Sequence, residues 1–142
     1  MRTILITGAN GGLGQAIARS FLAESPENHV WLGVFVRREN ADKLAAEFSG
    51  RCRAVDLDVT QPDSWKKAVD TILAEHKRID VLVNNAGKHN DGLLATMPLG
   101  TWDSIVRTNL DATSVRNRNS RPGWPGPMWA TPTGPTAASK RS

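Results

Sequence analysis

The chain contains no tyrosine and only one cysteine, Cys52, among its 142 residues. Without a phenol, the usual tyrosine acid/base chemistry has no proton donor here. A single thiol cannot close an internal disulfide, and without a companion cluster of Cys or His it makes no metal site. That usage fits a reducing compartment, and a cytoplasmic location is expected. Long apolar runs are also missing. The longest, Val30–Val36, is far too short to cross a bilayer, and the apolar start of the chain is broken by Asn10 before a secretory segment could form.

One sign of charge is scarce in one place. The formal charge is +4, yet residues 1–109 hold 13 basic and 13 acidic side chains, whereas 110–142 hold Arg116, Arg118, Arg121, Lys140 and Arg141 against Asp111 alone. The excess is confined to the C-terminal stretch, so it does not mark the whole chain as a nucleic-acid binder.

What is present up to Leu110 is alternation. Ile4–Thr7, Val30–Val36, Arg53–Leu57 and Ile79–Asn84 read as buried strands, rich in β-branched residues. Between them Gly12–Glu24, Ala41–Phe48 and Asp63–His76 read as helices, the last with Trp65, Val69, Ile72 and Leu73 on one face. A fourth helix is expected from Thr101, as its cap, with Trp102, Ile105 and Val106 turned inward. Strict βα alternation predicts an α/β fold: a Rossmann-like, doubly wound parallel sheet, here incomplete. Residues 1–110 form the expected nucleotide-binding domain. Residues 111–142 hold five of the eight prolines and only Val115 from the Leu, Ile, Val and Phe set, and read as a disordered tail.

The segment Thr7-Gly8-Ala9-Asn10-Gly11-Gly12-Leu13-Gly14 lies between the first strand and the first helix, where a phosphate-binding turn belongs. Gly8 permits a sharp turn, Gly12 lets a pyrophosphate approach the backbone, and Gly14 allows close packing of helix on sheet. The helix N-terminus adds free N–H groups and a positive dipole end. Gly8, Asn10, Gly12, Leu13 and Gly14 are therefore candidate cofactor-binding residues; the plain alternative is an ordinary tight βα connection. At the end of the second strand, an acid would bond a ribose 2′-hydroxyl and a cation would accept a 2′-phosphate. Arg37 and Arg38 stand there, with no acid before Glu39. NADP(H) is accordingly favoured over NAD(H), against the alternative of a solvated basic turn opposing Glu39 and Asp42.

The spacing Thr-Gly-x-x-x-Gly-x-Gly resembles that of the short-chain dehydrogenase/reductase family. Asn84-Asn85-Ala86-Gly87 after the fourth strand, Asp56-Leu57-Asp58-Val59-Thr60 after the third, and Thr108-Asn109-Leu110 match further motifs of that family in the same order. The resemblance implies that Asp58 accepts a hydrogen bond from adenine with the Val59 amide nearby. It also implies that Asn85, Ala86 and Gly87 line the nicotinamide-ribose side, and that Asn109 holds a water in a proton relay. Plain alternatives are a capping or solvated loop charge for Asp58 and a turn amide for Asn85. Asn84 is expected to hold neighbouring strands together.

The same resemblance implies hydride transfer between a nicotinamide dinucleotide and a small carbonyl or alcohol substrate, by a homo-oligomer. It calls for a catalytic Ser and a Tyr-x-x-x-Lys that this chain does not supply. The nearest trace, Thr136-Ala137-Ala138-Ser139-Lys140, puts threonine at the tyrosine position, and Ser114 and Ser120 lack a strand context. The loss of apolar periodicity after a matched motif leads to the expectation of a truncated or frameshifted, catalytically impaired product. A non-catalytic NADP(H)-binding module or redox-sensing subunit is the alternative. A nucleic-acid contact by the basic tail with Trp124 and Trp129 is a third, minor one.

Overall fold

The computed structural model describes residues 1–89 and 96–112. Four strands alternate with helices: β1 (Thr3–Thr7), α1 (Gly12–Glu24), β2 (His29–Val34), α2 (Glu39–Glu47), β3 (Cys52–Asp56), α3 (Pro62–His76), β4 (Val81–Val83) and α4 (Leu99–Val106), which runs into a π-helical turn, Arg107–Asp111. All strand pairs are parallel, in the order β3-β2-β1-β4, with Ile4 beside both Val30 and Val81. Each parallel pair needs a crossover, and the three amphipathic helices provide them.

Side chains alternate across the sheet, so each strand feeds two cores. Ile4, Ile6, Val30, Leu32 and Val34 meet Ala18 and Leu22 of α1 and Ala41 and Leu44 of α2 on one face. Leu5 and Trp31 meet Trp65, Ala68 and Ile72 of α3 on the other. This is the Rossmann-like layering expected from the alternation. Among the described residues β4 pairs only with β1 and forms one edge of the sheet.

Local chemistry sets the helix ends. Pro62 opens α3, where its missing N–H costs nothing, and Lys77 closes it in the left-handed region at φ 62°. The Trp65 indole N–H donates to the Val59 carbonyl at 3.0 Å, tying α3 to the end of β3. Cys52 is buried against α1 and α2, and burial pushes its thiol up to about 11, so no thiolate is available at neutral pH.

Several expectations are corrected, among them the fourth strand, which is Val81–Val83 rather than Ile79–Asn84. β2 stops at Val34, since the last β3 partner in register is Asp56; Phe35 and Val36 lie beyond the sheet, 67% and 80% exposed. The inward face of α3 is Trp65, Ala68 and Ile72 with the partly buried Val69, while Leu73 is turned to the surface. α4 starts two residues before Thr101, because the Thr101 and Trp102 amides already donate to the Pro98 carbonyl. Trp102, expected inward, is 48% exposed, while Ile105 and Val106 are half-buried. The helical path continues to Ala112, which is buried in the same core cluster as Leu5 and Trp31. Ser114, Ser120, Trp124, Trp129 and Thr136–Lys140 lie outside the described residues. No described helix is long and apolar enough to cross a membrane.

At the start of β2 the His29 ring sits 4.6 Å from that of His76, whose edge approaches Trp31. Burial, then the neighbouring His76, holds His29 below its ordinary value of 6.5; Glu75 opposes the shift, and Arg51 and Arg53 add to it. Below that ordinary value the unfolded chain takes up a proton that the folded chain resists. Stability is therefore full above about pH 6.5 and falls as pH drops through it. Thermal melts between pH 7.5 and 5.5 should show a declining midpoint with a shallower decline for His29→Gln; parallel declines would refute this assignment.

Candidate functional site

The candidate segments other than Asn109 lie at or just beyond a strand's carboxyl end, where parallel sheets leave a crevice between diverging loops. After β1 the chain makes the turn Gly8–Gly11 and enters α1 directly, with Gly11 as cap and no side-chain cap bond. The first amides of α1 thus face the crevice without a side-chain acceptor at the cap.

The glycines of the turn have different reasons to be glycine. Gly8 has φ +64°, and a Cβ there would meet the Ala86 Cα at 2.7 Å. At Gly14 a Cβ would meet the Ala9 Cα at 2.7 Å and the Asn85 Nδ2 at 3.0 Å, so α1 could not sit this close to the sheet. Gly12 is different: a Cβ there meets nothing within 4 Å. No contact within the described chain requires glycine at that position. It lines a cavity of about 400 Å³ walled by Gly8, Asn10, Gly11 and Gly12 on one side and by Val34–Arg37 with Asn40 on the other. Backbone left bare beside a cavity is a cradle that an added Cβ would fill, and the donor set around it, helix amides and a guanidinium, suits a phosphate. Leu13, 68% exposed, stands next to it on the first turn of α1.

Across the sheet, β1 and β4 are locked together at their ends. The Thr7 hydroxyl accepts from the Asn85 and Ala86 amides at 3.0 and 2.9 Å and donates to the Val83 carbonyl at 3.4 Å. The Asn85 side-chain amide donates to the Thr7 and Gly8 carbonyls at 3.0 and 3.2 Å. Asn85, rather than the exposed Asn84, is therefore the residue that ties neighbouring strands together, and it also shapes the glycine turn. Two residues on, Gly87 approaches the Asn109 Oδ1, which a Cβ would meet at 3.4 Å. Asn109 sits in the π-helical turn and uses both ends of its amide on one residue: Oδ1 accepts from the Lys88 amide at 2.8 Å, and Nδ2 donates to the Lys88 carbonyl at 2.9 Å. The Lys88 ammonium reaches the Ser104 hydroxyl at 2.7 Å, so the loop after β4 is fastened to α4 twice.

Asp58 closes a local turn. Its Oδ1 accepts from the Thr60 amide and hydroxyl at 2.9 and 2.7 Å, and its own amide donates to Ser64 Oγ on the first turn of α3. The neighbouring Val59 is buried, and its carbonyl takes the Trp65 indole. At the end of β2 the two arginines separate. Arg38 bonds Asp42 at 2.9 Å and Asp56 at 3.0 Å, and the Asp42 bond raises its pKa above the usual arginine value. Arg37 lines the cavity and makes no ion pair among the described residues.

Two structural roles had no signal in the sequence. Asn10 Oδ1 accepts from the Asn40 and Ala41 amides across the cavity, and Arg38 forms a latch to β3. Asn10 could not have been paired with Asn40 from spacing, since the bond joins separate loops. The Arg38 latch needed the β2–β3 register, which sets Val34 opposite Asp56. No cluster of three His, Cys, Asp or Glu side chains that could hold a metal occurs among the described residues.

A parallel sheet layered by helices on both faces, with a bare glycine turn at the head of its first helix, defines a Rossmann-like α/β protein. Residues 2–119 match the family model for short chain dehydrogenases, and the chain belongs to that family. It is 38% identical over 112 residues to the 3-oxoacyl-acyl-carrier-protein reductase FabG of Thermotoga maritima, covering 77% of this chain and 44% of that protein. It is 38% identical over 115 residues to the serine 3-dehydrogenase of Agrobacterium fabrum, covering 76% and 43%. The crystal structure of the KRED1-Pglu enzyme superposes with a TM-score of 0.78 at 28% identity, over 84% of this chain and 50% of that one. A short-chain dehydrogenase from Streptomyces avermitilis superposes at 0.75 with 30% identity, over 83% and 43%. The chain thus spans less than half the length of the curated relatives it matches.

The different burdens on the glycines are separable by experiment. Gly8→Ala should cost about 2 kcal/mol or more in thermal or denaturant melts, from left-handed strain and the Ala86 clash. Gly12→Ala should stay within about 0.5 kcal/mol of the unaltered chain, yet weaken dinucleotide binding about tenfold in a fluorescence titration. If Gly12→Ala bound as tightly as the parent, the cradle would not be where the phosphates lie.

Proposed function

We propose that this chain carries the cofactor-binding portion of an NADP(H)-dependent alcohol/carbonyl oxidoreductase. Membership of the short chain dehydrogenase family supports the reaction class. The observation that carries the cofactor preference is the division of labour between the two arginines. Arg38 is committed to Asp42 and Asp56, the acid that ends β3, and Arg37 remains as the cation on the cavity wall. A planar guanidinium there suits a ribose 2′-phosphate through paired charge-assisted bonds, and no carboxylate before Glu39 competes to bind a 2′-hydroxyl.

Around that cofactor the chain's residues divide by place. The amides of the α1 head and the bare backbone of Gly12 receive the pyrophosphate. The Asp58–Val59 turn borders the adenine, and the Asn85–Gly87 loop borders the nicotinamide ribose. Asn109 keeps that loop in position and would hold a water of a proton relay. When bound, the nicotinamide supplies or accepts the hydride. The 142-residue chain has no tyrosine to exchange the accompanying proton, and an aliphatic hydroxyl has far too high a pKa to replace it at neutral pH. This chain alone therefore binds the dinucleotide without turning over a carbonyl substrate.

In titrations followed by NADPH fluorescence, the chain should bind NADPH more tightly than NADH. Arg37→Ala should cost NADPH about tenfold and NADH less than about twofold, the contribution of one charge-assisted phosphate contact. Equal affinities, or tighter NADH, would overturn the NADP(H) assignment. Steady NADPH consumption with a carbonyl substrate would overturn the statement that this chain is inactive by itself.

A further inference from the structure

Helix α2 begins without a cap of its own. Its cap position, Arg38, makes no side-chain bond to the free amides of the first turn, and its guanidinium is turned to Asp42 and Asp56 instead. The missing acceptor comes from 30 residues earlier. Asn10 Oδ1 accepts from the Asn40 amide at 2.9 Å and the Ala41 amide at 3.1 Å, and the Asn40 side chain returns a bond to the Asn10 carbonyl at 3.2 Å. These are the second and third residues of α2, the amides that a local Ser, Thr, Asp or Asn cap would serve. Ala41 is fully buried, so its amide has no water to fall back on.

This bridge determines where Arg37 can be. The chain between β2 and α2 consists of Phe35, Val36, Arg37 and Arg38, and all four are exposed. Val34 is fixed by its place opposite Asp56, and Asn10 fixes the α2 end through Asn40 and Ala41. The exposed ion pairs of Arg38 also touch this loop, but pairs of that kind are weak holding points compared with a bond to the amide of the buried Ala41. We propose that Asn10 is a positioning residue for specificity: by capping α2 across the cavity, it holds Arg37 where a ribose 2′-phosphate can reach it. Asn10 thereby couples the pyrophosphate turn to the 2′-phosphate side of the same cavity. The proposal rests on the NADP(H) reading given above.

The test uses the whole chain, with 2′,5′-ADP and 5′-AMP as probes that differ in the 2′-phosphate, by calorimetry, alongside amide hydrogen exchange at Asn40 and Ala41. In Asn10→Ala those two amides should exchange about fivefold faster, the factor that loss of a capping side chain typically carries. The preference for 2′,5′-ADP over 5′-AMP should fall about fivefold, as expected when pre-organisation of one contact is lost. Asn10→Asp keeps the acceptor and should restore the protection of both amides. If Asn10→Ala does not fold, Asn40→Ala removes only the returning bond and should lower the preference about twofold. An unchanged preference in whichever of these two variants is measured, or equal losses for both probes, would overturn the role of Asn10 alone. Equal binding of the two probes by the unaltered chain would overturn the NADP(H) reading and this proposal together.

Discussion

The Thr7 hydroxyl is the point on which the crevice hangs. It sits at the end of the central strand β1, takes the two amides that follow β4, and returns its proton to Val83. With the Asn85 side chain bonded back to the Thr7 and Gly8 carbonyls, the ends of β1 and β4 form one bonded unit and the glycine turn leaves it in a single direction. Gly8 there has a left-handed φ, and the Ala86 backbone occupies the space a side chain would need, so two separate constraints call for glycine. The position of the α1 amides follows from that turn, and the cavity wall follows from α1. A buried hydroxyl with all its hydrogen-bonding capacity used is expensive to disturb, so this arrangement is stiff.

Around that unit, polar side chains act mostly on backbone. Asn10 caps a helix in another βα unit, Asn85 holds a turn, Asn109 clasps Lys88, and Asp58 closes its own loop. The amide side chains have an acceptor and a donor on one rigid plane, and Asn85 and Asn109 each engage backbone near a strand end that no regular ladder satisfies. Residues at these positions are thus committed to shape before any ligand arrives. The groups left for a ligand are mainly backbone N–H groups and the Arg37 guanidinium.

The fold class was legible because its signals are repetitive: four apolar β-branched runs, three helical periods between them, and glycines at one βα junction. Helix α1 was legible to the residue, since a glycine-rich head and an abrupt polar end bracket it. Less legible was anything set by a partner distant in sequence. Phe35 and Val36 look like strand residues, but the sheet stops when β3 runs out of residues to pair, a fact stored in the register. Asn84 and Asn85 are chemically identical, and only the pleat decides which one faces Thr7. Arg37 and Arg38 likewise look interchangeable until Asp42 and Asp56 claim one of them. In α4 a proline-closed first turn set the start two residues early, and of the three expected inward residues only Trp102 is exposed, which periodicity alone could not detect.

The bond between Thr7 and Asn85 spans 78 positions of the chain. During synthesis, which proceeds from the N-terminus, β1 emerges early and can pair with β2 soon afterwards, but its hydroxyl waits for β4 before its bonds are complete. The glycine turn therefore reaches its final shape late, after β2, α2 and β3 have already been made. A crevice formed by the earliest part of the chain is in this sense among the last features to mature, and a nascent chain stalled before residue 85 would present its first helix head without the support that aims it.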